Sequence, residues 1–188
     1  MNIITILGSP RKRGNTAAVL REFEALAQPH AAIQRINIIE ANVGGCRGCD
    51  ACQRVVDRPA CSQRDDGNQI LSHLIAADMI VYAAPVYVWD FPSQMKALMD
   101  RHYCLAKNTS SPQPTYLVGD KPVVLLTTCG GTAEENADIL RVIFRREMTY
   151  LRCRIVGEYV VPLCTLPSEL GARPHETARR MINDLFRV

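Results

Sequence analysis

The sequence predicts an α/β protein in three layers, a five-stranded parallel sheet in the order 2-1-3-4-5 with helices on both faces. Three observations carry that expectation. Apolar runs of strand length alternate with helical patterns along the 188-residue chain, and such alternation builds parallel sheets. Two of the runs, Met79-Ile80-Val81-Tyr82-Ala83-Ala84 and Val123 to Thr128, are almost continuously apolar, as strands covered on both faces are. A tight polar loop, Gly8-Ser9-Pro10-Arg11-Lys12-Arg13-Gly14-Asn15-Thr16, separates the first apolar run from the first helix. In such folds ligands sit at the carboxyl ends of the strands.

The elements follow in order. Ile3-Ile4-Thr5-Ile6-Leu7 is the first strand, and Val19, Leu20, Phe23 and Leu26 mark the first helix. Ile33 to Ile39 carries a short strand pattern, and a cysteine-rich loop runs from about Gly44 to Gly67. Ile70, Leu71, Leu74 and Ile75 give a second helical face before the strand at 79–84. Pro92 suits the first turn of the next helix, whose buried face is Met95, Leu98, Met99 and His102. Residues 105–121, with Ser110, Ser111, Pro112 and Pro114, read as a long polar connection within one domain spanning 1–188. The helix over 135–148 has apolar residues on more than one side (Ile139, Leu140, Ile143, Phe144, Met148), which predicts a homodimer or homotetramer. In such an assembly the 105–121 connection would cover a neighbour's ligand. Glu134 and Glu135 read as acids of that helix's first turn. Ile155 to Val161 is the last strand, and Ala178, Met181, Ile182 and Leu185 mark the closing helix. Five strands with the ligand loop after the first match the flavodoxin-like order.

The first loop places small residues, hydroxyls, an amide and three cations where a helix begins. Unpaired N–H groups and the positive end of the helix dipole stabilise an anion there, which we read as a phosphate. Walker A spacing fails, because five residues separate Gly8 from Gly14 and Asn15 stands in place of the lysine. A dinucleotide fingerprint fails too, since Pro10 occupies the position of its second glycine. The loop after the third strand, Pro85 to Phe91, concentrates Tyr87, Trp89 and Phe91 in a chain with 6% aromatics. Flat neighbours and backbone hydrogen-bonding groups are what a planar ring requires. Thr128 to Thr132, after the fourth strand, adds glycines that admit close backbone approach. A phosphate on one loop and a planar ring on the next two describe flavin mononucleotide, FMN.

Gly8-Ser9-Pro10-Arg11 with Gly14-Asn15-Thr16 resembles the flavin phosphate loop of the NADPH-dependent FMN reductases and their relatives. Pro85-Val86-Tyr87, followed by Pro92 and Lys96, is similar to that family's P-x-Y-x(4)-P-x(3)-K segment. The resemblance covers residues 1 to about 165. It implies that Ser9, Arg11, Gly14, Asn15 and Thr16 hold the phosphate. It also implies that Pro85, Val86, Tyr87, Val88 and Trp89 border the isoalloxazine, with Cys129 and Gly130 approaching from the third loop.

Eight cysteines are many for a chain whose first residues run straight into a strand pattern. No signal-peptide layout or membrane-length apolar stretch is visible, so the expected compartment is the cytoplasm. There, thiols serve as ligands or redox groups more often than as a disulfide frame. Cys104, Cys129, Cys153 and Cys164 are dispersed and read as buried inert thiols. Cys46, Cys49, Cys52 and Cys61 cluster as C-x2-C-x2-C-x8-C, a spacing with the logic of iron–sulfur ligation. Zinc sites more often use two separated C-x2-C pairs. The quartet also resembles the compact motif of iron–sulfur flavoproteins, a branch of the same group, which implies a [4Fe-4S] cluster beside FMN. Relatives with a similar cysteine followed by paired aspartates, here Asp65-Asp66, use the loop as a structural flap or for thiol chemistry. Cluster, zinc and bare thiols therefore all stay open.

Net charge of +3 and scattered basic residues give no motive for nucleic-acid binding, and no membrane partner is expected. Three functions follow in order of preference. The first is an FMN-dependent oxidoreductase taking electrons from NAD(P)H to a small-molecule acceptor such as a flavin or quinone. The second is an electron-transfer protein receiving single electrons from ferredoxin through a cluster. The third is a non-enzymatic flavin- or zinc-binding redox sensor. No nucleophile or acid–base pair stands out in the sequence.

Overall fold

A computed structural model describes residues 1–187. Its main sheet contains β1 (Asn2–Leu7), β2 (Ala32–Asn37), β3 (Met79–Pro85), β6 (Pro122–Thr128) and β7 (Arg154–Val161). These pair in parallel in the order β2-β1-β3-β6-β7. Counted within the sheet alone, that is the predicted 2-1-3-4-5. A short antiparallel pair, β4 (Ala106–Lys107) and β5 (Thr115–Tyr116), stands apart from it.

Period-two burial divides the central strands between two cores. Ile4, Ile6, Ile80, Tyr82 and Leu125 face α2 (Gly67–Ala76), α3 (Ser93–Asp100) and α4 (Asp138–Tyr150). Ile3, Leu7, Val81, Val124 and Leu126 face α1 (Asn15–Ala27) and α5 (Arg173–Phe186). Helices on both sides explain why β3 and β6 are apolar without alternation: both faces lose water, and each fully buried aliphatic side chain contributes about 1.5–3 kcal/mol. No helix among the described residues is long and apolar enough to cross a membrane.

Several local expectations change. The second strand stops at Asn37, and Ile38–Glu40 closes into a 3₁₀ turn that buries Ile38. Pro92 precedes α3 as its cap, because its extended ψ of 147° lies outside the helix. Helix α4 starts at Asp138, so Glu134 and Glu135 belong to the preceding turn and Asp138 is the first-turn acid. Leu140, Phe144 and Met148 are its buried face, while Ile139, Val142 and Tyr150 are exposed. The 105–121 connection is less polar in space than in sequence, for Leu105, Ala106, Lys107 and Val118 are buried. Lys107 Nζ donates to the carbonyls of Cys52 and Pro59 at 2.8 and 2.9 Å. The connection thus holds the chain's own cysteine loop.

That loop is closed at its base by Arg101, which has no exposed surface. Its guanidinium donates to both carboxylate oxygens of Asp65, at 2.8 and 3.1 Å, and to the carbonyl of Gly44 at 3.1 Å. The guanidinium holds the Asp65 carboxyl below its ordinary range. Asp65→Asn would leave a buried guanidinium without its anion, a change expected to cost about 3 kcal/mol. A lowered carboxyl contributes stability that is complete above the unfolded value of about 3.9. That contribution is lost as pH falls through the lowered folded value. Urea unfolding at pH 7 should show the full difference between wild type and variant, and the gap should shrink below about pH 4.

Candidate functional site

The carboxyl ends of β1, β3, β6 and β7 surround a cleft of about 650 Å³. The first loop leaves β1 at Gly8, whose N–H donates to the Ala83 carbonyl at 2.7 Å. A Cβ at Gly8 would lie 3.0 Å from Met95 and 3.1 Å from Ala84, so the missing side chain lets the first loop lie against β3 and α3. The loop then turns tightly: Arg11 N–H donates to Ser9 Oγ at 3.1 Å, and Gly14 N–H to the Arg11 carbonyl at 2.9 Å. Gly14 caps α1 in extended conformation. No side chain bonds the first-turn N–H groups, and no acidic residue sits among them. Those N–H groups have no partner within the helix. Lys12 is paired with Glu40, whereas the side chains of Arg11 and Arg13 have no ion-pair partner among the described residues. This donor set fits a phosphate.

Two predicted phosphate ligands have other work for their side chains. Thr16 Oγ1 bonds Thr128 Oγ1 at 2.7 Å, fastening the loop to the end of β6. Asn15 Nδ2 donates to the Cys164 carbonyl at 3.0 Å, fastening it to the chain after β7. Asn15 Oδ1 is buried with no partner. Both residues present their backbone at the helix start while their side chains act as braces.

Of the residues expected to border a ring, Pro85, Val86, Tyr87, Cys129 and Gly130 line the cleft, and Val88 and Trp89 do not. The reason is the turn they form. Tyr87 and Asp90 exchange both backbone hydrogen bonds, at 2.9 and 3.0 Å. Val88 and Trp89 between them have φ of 50° and 61°, the left-handed pair of a type I′ turn. This geometry swings both side chains outward, leaving Val88 88% exposed. The Trp89 indole N–H is anchored to the Glu135 carbonyl at 2.9 Å. Among the described residues the backbone N–H groups of Val88 and Trp89 find no acceptor in the protein. Phe91 is buried beneath the turn.

Thr128, Cys164, Thr165 and Pro167 also line the cleft and were absent from the sequence-based set. Three of them follow β7. The rule that parallel strands all deliver their carboxyl ends to one edge could have identified that fourth loop.

The structure does not bring the cysteine quartet together. Cys46 and Cys49 are exposed, Cys61 is half-buried, and Cys52 is buried. Left-handed backbone at Gly48 turns the chain between Cys46 and Cys49, and at Asp50 between Cys49 and Cys52, and the 3₁₀ turn Ala51–Arg54 carries Cys52 into the core. Cys46 Sγ accepts from the Gly48 N–H at 3.4 Å. Cys49 Sγ pairs with Ser62 Oγ at 3.3 Å, a bond that lowers its thiol from the ordinary value. Among the described residues no three His, Cys, Asp or Glu side chains are placed to hold a metal ion. The quartet as placed does not fit a four-thiol cluster.

A family model described as NADPH-dependent FMN reductase matches residues 1–163. The chain belongs to that family. An iron–sulfur flavoprotein of Methanocaldococcus jannaschii is 35% identical over 102 residues, covering 54% of this chain and 51% of that protein. The chain spans about half the length of the iron–sulfur flavoproteins it matches. An FMN-dependent NADH:quinone oxidoreductase of Methylobacterium radiotolerans is 28% identical over 178 residues, covering 88% of this chain and 78% of that one. Among solved structures, an NAD(P)H:quinone oxidoreductase from Methanothermobacter marburgensis superposes with a TM-score of 0.77 at 16% identity, over 98% of each chain. That likeness speaks to the fold.

The turn at 87–90 can be tested directly. A β-branched residue in left-handed backbone costs about 1–2 kcal/mol, and asparagine tolerates that backbone better. Val88→Asn should therefore raise stability by about 1 kcal/mol. Equal urea midpoints for variant and wild type would show that the turn is unstrained.

Proposed function

We propose that this chain is an FMN-dependent oxidoreductase that takes electrons from NAD(P)H and delivers them to a small-molecule acceptor such as a flavin or quinone. The observation that carries the reading is a single cleft joining an uncapped, acid-free helix start to the Pro85–Tyr87 segment. Family membership supports it.

FMN, when bound, accepts hydride from the nicotinamide and passes the electrons on, so the protein supplies binding and orientation. The N–H groups at the start of α1, Ser9 and Arg11 would hold the phosphate. Arg13, on the same rim without an anion partner, adds positive potential that favours anionic ligands. Pro85, Val86 and Tyr87 would flank the ring, with Cys129 and Gly130 opposite. The N–H groups of Val86 and Tyr87 are already given to Thr128 and Asp90. The free N–H groups of Val88 and Trp89 are therefore the candidates for the ring's polar edge. In that way both residues keep a cofactor role through their backbone while their side chains face away. Tyr87, 40% exposed, stands where an acceptor would enter.

The test is anaerobic mixing of FMN-loaded protein with NADPH or NADH, followed by a quinone. Bleaching and recovery of the flavin absorbance are expected, and no bleaching with either nicotinamide would sink the reading. Arg11→Ala should weaken FMN binding about tenfold, the effect of losing one hydrogen bond to a charged group. Fluorescence titration of FMN measures it, and unchanged affinity would count against the phosphate assignment.

The alternative, single electrons from ferredoxin through a cluster, draws on the names of relatives, and the dispersed thiols do not favour it. Anaerobically purified protein should carry iron and acid-labile sulfide well below one cluster per chain. Stoichiometric amounts of both would restore that alternative.

A further inference from the structure

Two thiols of the cleft have no redox part in the reading above. Cys129 follows β6 and Cys164 follows β7. Both line the cleft, yet they are only 3% and 4% exposed. Their backbones are joined directly, the Cys164 N–H donating to the Cys129 carbonyl at 3.0 Å. Cys164 Sγ lies 3.7 Å from the same oxygen. Standard backbone dimensions and an N···O separation of that length keep the two Cα atoms within roughly 6.3 Å of each other. That separation lies inside the roughly 4.4–6.8 Å over which a disulfide closes without backbone movement.

Both sulfurs have backbone carbonyls within hydrogen-bond reach. Cys129 Sγ reaches Gly131 and Thr132 at 3.4 and 3.8 Å, and Cys164 Sγ reaches Cys129 and Val161 at 3.7 and 3.4 Å. A carbonyl only accepts, so in these contacts each S–H donates, while the Leu163 backbone at Cys129 and the Asn15 amide at Cys164 act the other way and favour the thiolates. Burial pushes the Cys129 thiol up to about 11 and raises that of Cys164 as well. Both therefore rest mainly as thiols. Cys104 is equally buried and Cys153 is half-buried, but neither lines the cleft. Of the four dispersed cysteines, these two alone combine mutual contact with access to the ligand space.

We propose that Cys129 and Cys164 are a second two-electron centre of the cleft, a dithiol that closes to a disulfide when an oxidised flavin beside it takes up two electrons. The proposal rests on the reading of the cleft as an FMN site. Two S–H bonds break and one S–S bond forms. The flavin gains two electrons and one proton, and the second proton leaves to solvent. Reduced flavin drives the reverse, so electrons from a nicotinamide can be stored on the protein after the flavin itself is full.

The test uses the full chain with oxygen excluded throughout. Acid quenching, alkylation of free thiols and peptide mapping are applied to three samples: oxidised FMN-loaded protein, the same protein after NAD(P)H, and FMN-free protein. The chain has eight cysteines. The oxidised holoprotein should contain a peptide linked through Cys129 and Cys164, and the other two samples should alkylate at all eight. Free Cys129 and Cys164 in the oxidised holoprotein would overturn the proposal, as would an equal amount of linked peptide without flavin. A reductive titration gives a second readout. Wild type should consume two two-electron equivalents per chain and Cys164→Ala only one; equal consumption would also overturn it. Flavin absorbance separates the two readings. Bleaching by NAD(P)H without any linked peptide removes only the dithiol. A flavin-dependent linked peptide without bleaching removes the nicotinamide donor and leaves the dithiol standing.

Discussion

Two buried cations hold this molecule's most irregular segment by its backbone, and much about the candidate site depends on them. Arg101 ties Asp65 and Gly44 together at the base of the cysteine loop. Gly67 has no room for a side chain there, since a Cβ would meet the guanidinium at 2.6 Å. Lys107 grips the loop's middle through the carbonyls of Cys52 and Pro59. A charge removed from water is stable only when paired or hydrogen-bonded, so each cation dictates where nearby backbone must go. Cys52 is drawn inward with its own carbonyl, while Cys46 and Cys49 stay outside the clamps. The spread of the four thiols is a consequence of how the loop is fastened.

Seen this way, what the sequence reveals and what it hides have separate physical origins. Sheet order was legible because parallel strands buried on both faces leave long apolar runs such as 79–84 and 123–128. The first loop was legible as a donor-rich turn because its chemistry is local: Ser9 to Thr16 contribute through adjacent backbone. Arg101 and Lys107 were illegible because an isolated cation in a sequence looks the same whether solvated or buried. The spacing of the cysteine quartet stops short for a related reason. Spacing describes which thiols can converge, and only tertiary fastening decides whether they do.

The aromatic loop shows a subtler limit. Of the aromatics concentrated after β3, Tyr87 lines the cleft, while Val88 and Trp89, expected at the border of a ring, do not. Their left-handed backbone turns the side chains out and leaves the N–H groups without an acceptor among the described residues. No glycine or asparagine stands at 88 or 89 to announce the turn. Strain kept in such a place is characteristic of sites where geometry matters more than local stability. The indole bond from Trp89 to Glu135 is a cross-link that makes the strain sustainable.

The braces of the first loop extend the same logic to the whole cleft. Thr16 is tied to β6, Asn15 to the chain after β7, and Gly8 to β3. A phosphate gripped by this loop would therefore be registered against three other strand ends, each through a single hydrogen bond. Where a cofactor carries the chemistry, the protein's part is to set where it stands relative to donor and acceptor. Residues chosen in sequence as ligands can then matter more as spacers. The hydroxyl of Thr16 and the amide of Asn15 fix the first loop against the ends of β6 and β7, and with it what a ligand held by that loop would reach.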